Sequence, residues 1–194
     1  MPSLEKDFLY LLKDDFKKYP CFIETGTYQG NNVISLESYF NNLYTIEISE
    51  YLYNTAKCKY NGNKIKFILG DSSIVLKELL PKIREKCIFF LDGHYSSENT
   101  GRGQKDCPLN EEIENINEFL VNEAIIIIDD FRLFGLDIRS GKLSEDWSYI
   151  SKDNILNILK DRIKDVYTLD SSIQKDDRLI IHIYGKKITL PALH

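Results

Sequence analysis

At 194 residues the chain is long enough to bury one substantial core, and 43% hydrophobic with 28% charged residues is an ordinary globular mixture. The net charge of -5 is spread along the chain without a basic stripe, which argues against DNA or RNA as a partner. No apolar run approaches the roughly 18 residues of a membrane-spanning helix, and the N-terminal MPSLEKDFLYLLKDDFKKYP is charged and amphipathic rather than a signal peptide. Cys21, Cys58, Cys87 and Cys107 form no CxxC pair and no zinc-ligand spacing, so the expectation is free thiols in a cytoplasmic protein. With no repeat and no linker, residues 1–194 are expected to form a single domain.

Residues 1–19 read as an N-terminal helix, placed to cover a site or to pair two subunits into a homodimer. CFIE (21–24) is the first strand and 31–39 the helix after it. LYTIEI (43–48) and a helix over 50–59 follow, then KIKFIL (64–69) and a helix over 72–84. CIFFLD (87–92) is the fourth strand. It runs into a long polar loop, GHYSSENTGRGQKDCP, before a helix over 109–120 that carries Ile113, Ile116, Phe119 and Leu120 on one face. AIIIID (124–129) has the continuous apolar character of a strand buried on both faces. A second long loop, 131–150, leads to a helix over 152–163. The last two strands, DVYTLDS (165–171) and RLIIHIYG (178–185), are joined by a turn too short for a crossover, so the last one is antiparallel. The alternation predicts an α/β fold: a Rossmann-like, seven-stranded, mostly parallel sheet with helices on both faces.

Ligands of such sheets bind beyond the carboxyl ends of the strands. The first five ends read Glu24-Thr25-Gly26, Glu47, Gly70-Asp71-Ser72, Asp92-Gly93-His94 and Asp129-Asp130, with an acid at every one. In the first turn, Gly26 and Gly30 suit a tight βα connection, but Tyr28 replaces the second glycine of a dinucleotide fingerprint, and no P-loop is present. Glu47, about twenty residues on, is placed to accept hydrogen bonds from both hydroxyls of a ribose. Asp71 is placed to accept from an adenine amino group. A ligand with ribose and adenine but no phosphate fits this set, and S-adenosylmethionine is such a ligand, its cationic sulfonium and ammonium suited to an acidic cradle. The cofactor set on this reading is Glu24, Thr25, Gly26, Thr27, Tyr28, Gly30, Glu47, Asp71, Ser72 and Asp92.

Together, FIETGTYQG, FFLDGHYS, KDCPLNEEIE and IIIIDDFRLFG resemble the motifs of class I S-adenosylmethionine-dependent methyltransferases. Within that superfamily they are similar to a bacterial and viral group of small enzymes related to macrocin-type sugar O-methyltransferases and, more distantly, to catechol O-methyltransferase. The resemblance covers nearly the whole chain and departs at Tyr28, where many members have glycine. It implies S-adenosylmethionine as cofactor and Mg²⁺ held by Asp92, Asp129 and Asp130. Oxygen ligands of this kind suit Mg²⁺, and a metal lowers the pKa of a bound hydroxyl. The acceptor implied is a small molecule, a sugar or a nucleotide-linked sugar. His94, with Asp92, is the catalytic candidate, as general base, metal ligand or a histidine that only holds its turn. Tyr95, Arg102, Lys105 and Arg132, on the loops 93–108 and 131–150, are candidates to bind the acceptor. Trp147 either lines the acceptor pocket or anchors its loop. Two other readings stand beside this one: a metal-independent N- or O-methyltransferase, and a cofactor-binding module without catalysis.

Overall fold

The computed structural model describes residues 4, 6–96, 100–140 and 145–187. Seven strands form one sheet: β1 (Cys21–Thr25), β2 (Asn42–Glu47), β3 (Ile65–Leu69), β4 (Cys87–Leu91), β5 (Ala124–Ile128), β6 (Ile163–Leu169) and β7 (Arg178–Ile183). Their order is β3-β2-β1-β4-β5-β7-β6. β7 pairs antiparallel with both β5 and β6, and the pairs from β3 to β5 are parallel. The expected fold class therefore holds, including the single antiparallel strand. Every residue of β1, β4, β5 and β7 is buried, as the apolar runs predict for strands covered on both faces.

The helices are α1 (Asn31–Ser35), α2 (Glu50–Cys58), α3 (Ser72–Leu79), α4 (Leu109–Phe119) and α5 (Lys152–Leu159). Ser49, Asp71 and Ser151 cap the N-termini of α2, α3 and α5 by accepting a backbone N–H. Two expectations shift. The helix expected over 72–84 passes into a 3-10 turn at Leu80, where Pro81 cannot donate to the helical ladder. The helix expected over 152–163 stops at Leu159, and β6 starts at Ile163.

The N-terminal segment is not an α-helix. It forms 3-10 turns at Lys6–Leu11 and Phe16–Lys18. Leu4, Phe8, Leu9, Leu12 and Phe16 pack with Phe22, Ile88, Phe90, Ile125, Ile127 and Ile180, so this segment covers one face of the sheet. Ile113, Ile116, Ile155 and Leu159 of α4 and α5 lie in the core of the other face with Phe89, Ile126 and Ile181. The four cysteines are free thiols, with Cys58 exposed. No described helix is long and apolar enough to cross a membrane.

Candidate active site

The sheet reverses its strand order between β1 and β4, which leaves a crevice at their carboxyl ends. A cavity opens there, lined among others by Gly26, Tyr28, Glu47, Asp71, Ser72, Asp92, His94, Tyr95 and Lys105. Gly26 has φ +82°, and a Cβ on it would lie 2.3 Å from the carbonyl oxygen of Asp92, so only glycine lets the β1 and β4 turns touch. Tyr28 has φ 49°, a left-handed conformation that glycine usually takes. Its N–H donates to Glu47 Oε2 at 2.8 Å, while Ser49 N–H donates to Glu47 Oε1 at 2.9 Å. Both Glu47 oxygens are thereby oriented at the cavity wall. Burial raises the Glu47 pKa, and these backbone N–H groups moderate the rise.

Not every expected cofactor residue reaches the cavity. Glu24 is 1% exposed and accepts from Thr45 Oγ1 at 2.6 Å and Asn32 Nδ2 at 2.5 Å; burial raises its pKa to about 7. Thr27 Oγ1 is 2.5 Å from Thr45 Oγ1. Gly30 packs its backbone against Ala56 of α2. Glu24, Thr25, Thr27 and Gly30 thus support the first turn from beneath and are not among the lining residues.

At the other end of the crevice, His94 lies between two carboxylates: Nδ1 is 3.5 Å from Asp92 Oδ1, and Nε2 is 3.3 Å from Asp130 Oδ2. One donor atom each from Asp92, His94 and Asp130 lies within 4.8 Å of the others, a spacing that fits a divalent cation. The set the sequence predicts is Asp92, Asp129 and Asp130, and Asp129 falls in a second group of the same spacing, with Asp130 and Asp177. Asp129 Oδ1 also accepts from Arg178 Nε at 3.0 Å, because the buried Arg178 guanidinium needs a counter-charge. Asp129 Oδ2 has no hydrogen-bond partner, and Asp129 lines a second, much smaller cavity with Asp92, His94 and Trp147. Burial, then the charges of Asp129 and Asp130, raise the Asp92 pKa well above the ordinary carboxylate range. Burial lowers the His94 pKa, against the opposing pull of Asp130. Burial also raises Asp129 in spite of its ion pair.

The acceptor candidates divide. Tyr95 and Lys105 line the large cavity. Arg102, more than half exposed, lies 4.9 Å over the Tyr95 ring and donates to Asp106 Oδ1 at 2.7 Å. Lys105 pairs with Glu111 rather than with the adjacent Asp106. Arg132 is committed internally, with Nη1 between Asp130 and Asp177, so it does not clamp an acceptor in this arrangement. Trp147 is 2% exposed and stands edge-on to His94 at 5.0 Å, so it anchors the site from within. The loop over 93–108 reaches the cofactor side as well: a Cβ on Gly103 would lie 2.9 Å from Asp71 Oδ2, and one on Gly101 2.2 Å from Ile48. It is also tied to the 131–150 loop. Asp146 N–H donates to Asp106 Oδ2 at 3.0 Å, and Tyr149 OH bonds both the N–H and the carbonyl of Cys107 at 3.0 Å. Residues 97–99 and 141–144 of the two loops, and His194, lie outside the described residues.

Sequence reasoning missed Glu112, which reads as a first-turn acid favouring the helix dipole. In the structure it is 1% exposed beneath Gly93. Burial raises its pKa to about 7, moderated by the Ser72 and Thr25 hydroxyls, although Glu112 Oε1 and Thr25 Oγ1 each lack a well-formed hydrogen bond. The spacing held the signal: position 112 shares the helical face of Leu109, Ile113 and Ile116, all of which are buried.

A scan against protein-family models finds no match, and a comparison with curated protein sequences finds none either. Solved structures do match. A magnesium protoporphyrin IX methyltransferase from Synechocystis, with S-adenosylhomocysteine (SAH) bound, aligns over 91% of this chain and 78% of its own, at 15% identity and TM-score 0.56. The N-methyltransferase NodS of Bradyrhizobium japonicum aligns over 87% of both chains, at 11% identity and TM-score 0.54. A spermidine synthase from Thermotoga maritima aligns over 88% of this chain and 55% of its own, at 10% identity and TM-score 0.57. At such identities the likeness is one of fold. The chain has the Rossmann-like fold of S-adenosylmethionine-dependent methyltransferases, a frame that also carries an enzyme of another name, so the reaction must be argued from the site.

Proposed function

We propose that this chain is an S-adenosylmethionine-dependent methyltransferase that methylates a hydroxyl of a small polyol, such as a sugar or a nucleotide-linked sugar. The observation that carries the reading is one crevice with two differently equipped ends. One end has Glu47, its oxygens oriented by two backbone N–H groups, with Asp71 on the next strand end. The other has His94 between Asp92 and Asp130. The first suits ribose and adenine; the second suits a hydroxyl that must lose a proton. In the reaction, the acceptor oxygen attacks the methyl carbon, the carbon–sulfur bond breaks, and its electron pair neutralises the sulfonium. His94, held neutral by burial, accepts the hydroxyl proton. The crevice contributes by aligning oxygen, methyl and sulfur.

Asp92 and Asp130, with Asp129, which has an unpartnered oxygen and lines the same small cavity as Asp92, are the residues that would hold Mg²⁺. Such an ion would acidify and orient the acceptor hydroxyl. A metal-independent version is favoured by one observation: Arg132 already neutralises part of the charge on Asp130. Calorimetry with SAH tests the cofactor; no binding at millimolar ligand overturns the reading. Transfer of labelled methyl to a panel of sugars and nucleotide sugars, with and without chelator, tests the rest. Loss of transfer on chelation supports the metal-assisted version, and unchanged transfer removes it.

A further inference from the structure

The turn between β6 and β7 contributes a residue to this site from a distance. Asp177 is fully buried, and it is occupied at every acceptor atom. Its carbonyl accepts Phe131 N–H at 2.8 Å, and its Oδ1 accepts Arg132 N–H at 3.2 Å. Its Oδ2 accepts from Ser171 Oγ and from Arg132 Nη1, both at 2.6 Å. These bonds hold the two residues that follow Asp130. Asp130 itself is left-handed, with φ 57° and ψ 34°, a conformation unfavourable for a residue with a side chain, which persists where its surroundings enforce it. The same Arg132 Nη1 that meets Asp177 also donates to Asp130 Oδ1 at 2.5 Å, which leaves Asp130 Oδ2 facing His94 Nε2 at 3.3 Å.

We infer that Asp177 is a positioning residue for His94, acting through Arg132 and Asp130. One guanidinium shared by two carboxylates fixes both of them. The backbone bonds to Asp177 fix the bend that aims Asp130 at the imidazole. A carboxylate held against Nε2 orients the ring and biases its tautomer, while Nδ1 faces Asp92. The functional meaning rests on the methyltransferase reading, but the linkage from Asp177 to His94 does not.

The test reads the His94 ring directly. The chain has three histidines, so long-range proton–nitrogen NMR of chelator-treated, ¹⁵N-labelled protein resolves each ring. In the wild type the expected proton position on His94 is Nε2, toward the nearer carboxylate. Asp177→Asn keeps a hydrogen-bond acceptor and removes the charge that shares Arg132. It is expected to lower the ratio of Nε2–H to Nδ1–H tautomer at His94 at least threefold. His182, on β7 against Tyr167 OH at 3.0 Å, should not change. An unmoved His94 overturns the inference, and so does a change at both histidines, which would mean a general loosening of the fold. If Asp177→Asn does not fold, Ser171→Ala decides: removing one bond to Asp177 Oδ2 should move His94 in the same direction, and no movement overturns the linkage. SAH calorimetry on the wild-type sample keeps the two ideas apart, because loss of cofactor binding sinks the methyltransferase reading while leaving the tautomer result intact.

Discussion

Glu47 does two things with one carboxylate: each oxygen accepts a backbone N–H, and each retains a lone pair for a ligand hydroxyl. Glu47→Gln would turn an amide NH₂ toward one of those N–H donors and so lose an acceptor where two are needed. SAH affinity measured by calorimetry should fall about tenfold or more, roughly 1.4 kcal/mol. A change of less than twofold would show that Glu47 does not touch the cofactor. This residue was legible in the sequence because strand ends fall in register and an acid there has one direction to face. The orientation of Asp129 was not legible, since it depends on Arg178, forty-nine positions away and on another strand. Arg132 was misread for the same reason: an arginine in a loop looks solvent-facing until Asp177 is placed beside it.

At the scale of elements, α4 shows how a helix end is completed by distant chain. Beyond Ile116, whose carbonyl accepts the Leu120 N–H at 3.2 Å, its last carbonyls turn to donors outside the helix. Arg162 is buried and, among the described residues, donates to carbonyls rather than to a carboxylate: those of Ile116 and Asn117 and, beyond the helix, those of Asn122 and Tyr184. Lys186 donates to Glu118 in the same way. Arg162→Met should lower the unfolding free energy by about 3 kcal/mol, because four carbonyls, one of them fully buried, lose a charged donor at once. Urea unfolding checks this, and a loss under 1 kcal/mol would mean that water replaces the guanidinium. The strands and helices themselves were readable from alternation, and the hairpin from its short turn. The N-terminal segment was not: its apolar residues fit a helical period, but packing flat against the sheet face draws them into 3-10 turns.

For the molecule as a whole, Glu24 and Glu112 link stability to pH. Both carboxyls are buried with pKa values raised from 4.5 to about 7. Between those values the folded protein holds protons that the unfolded chain has released, so the stability they contribute falls as pH rises from about 4.5 to about 7 and is level above. The buried His94 and His182, whose pKa values are lowered from 6.5, act in the opposite sense: below 6.5 the unfolded chain takes up protons that the fold refuses. Comparing Glu112→Gln with wild type isolates the first effect. The melting temperature of the variant should gain on wild type between pH 5 and pH 8, by the equivalent of roughly 3 kcal/mol at most. A difference that stays constant with pH would mean that Glu112 is ionised throughout.

The ties between the two long loops bear on how such a protein changes its acceptor over evolutionary time. Asp106 and Tyr149 bind 93–108 and 131–150 to each other through bonds that neither loop can make alone. Exchanging one loop for another would take the Asp146 N–H from Asp106 Oδ2, although Arg102 keeps Oδ1, and would leave the Tyr149 hydroxyl without its backbone partners. On the proposed reading, acceptor preference would therefore be inherited as a pair of segments. It can drift freely only where the two change together, while the glycine contact between the β1 and β4 turns stays fixed beneath them.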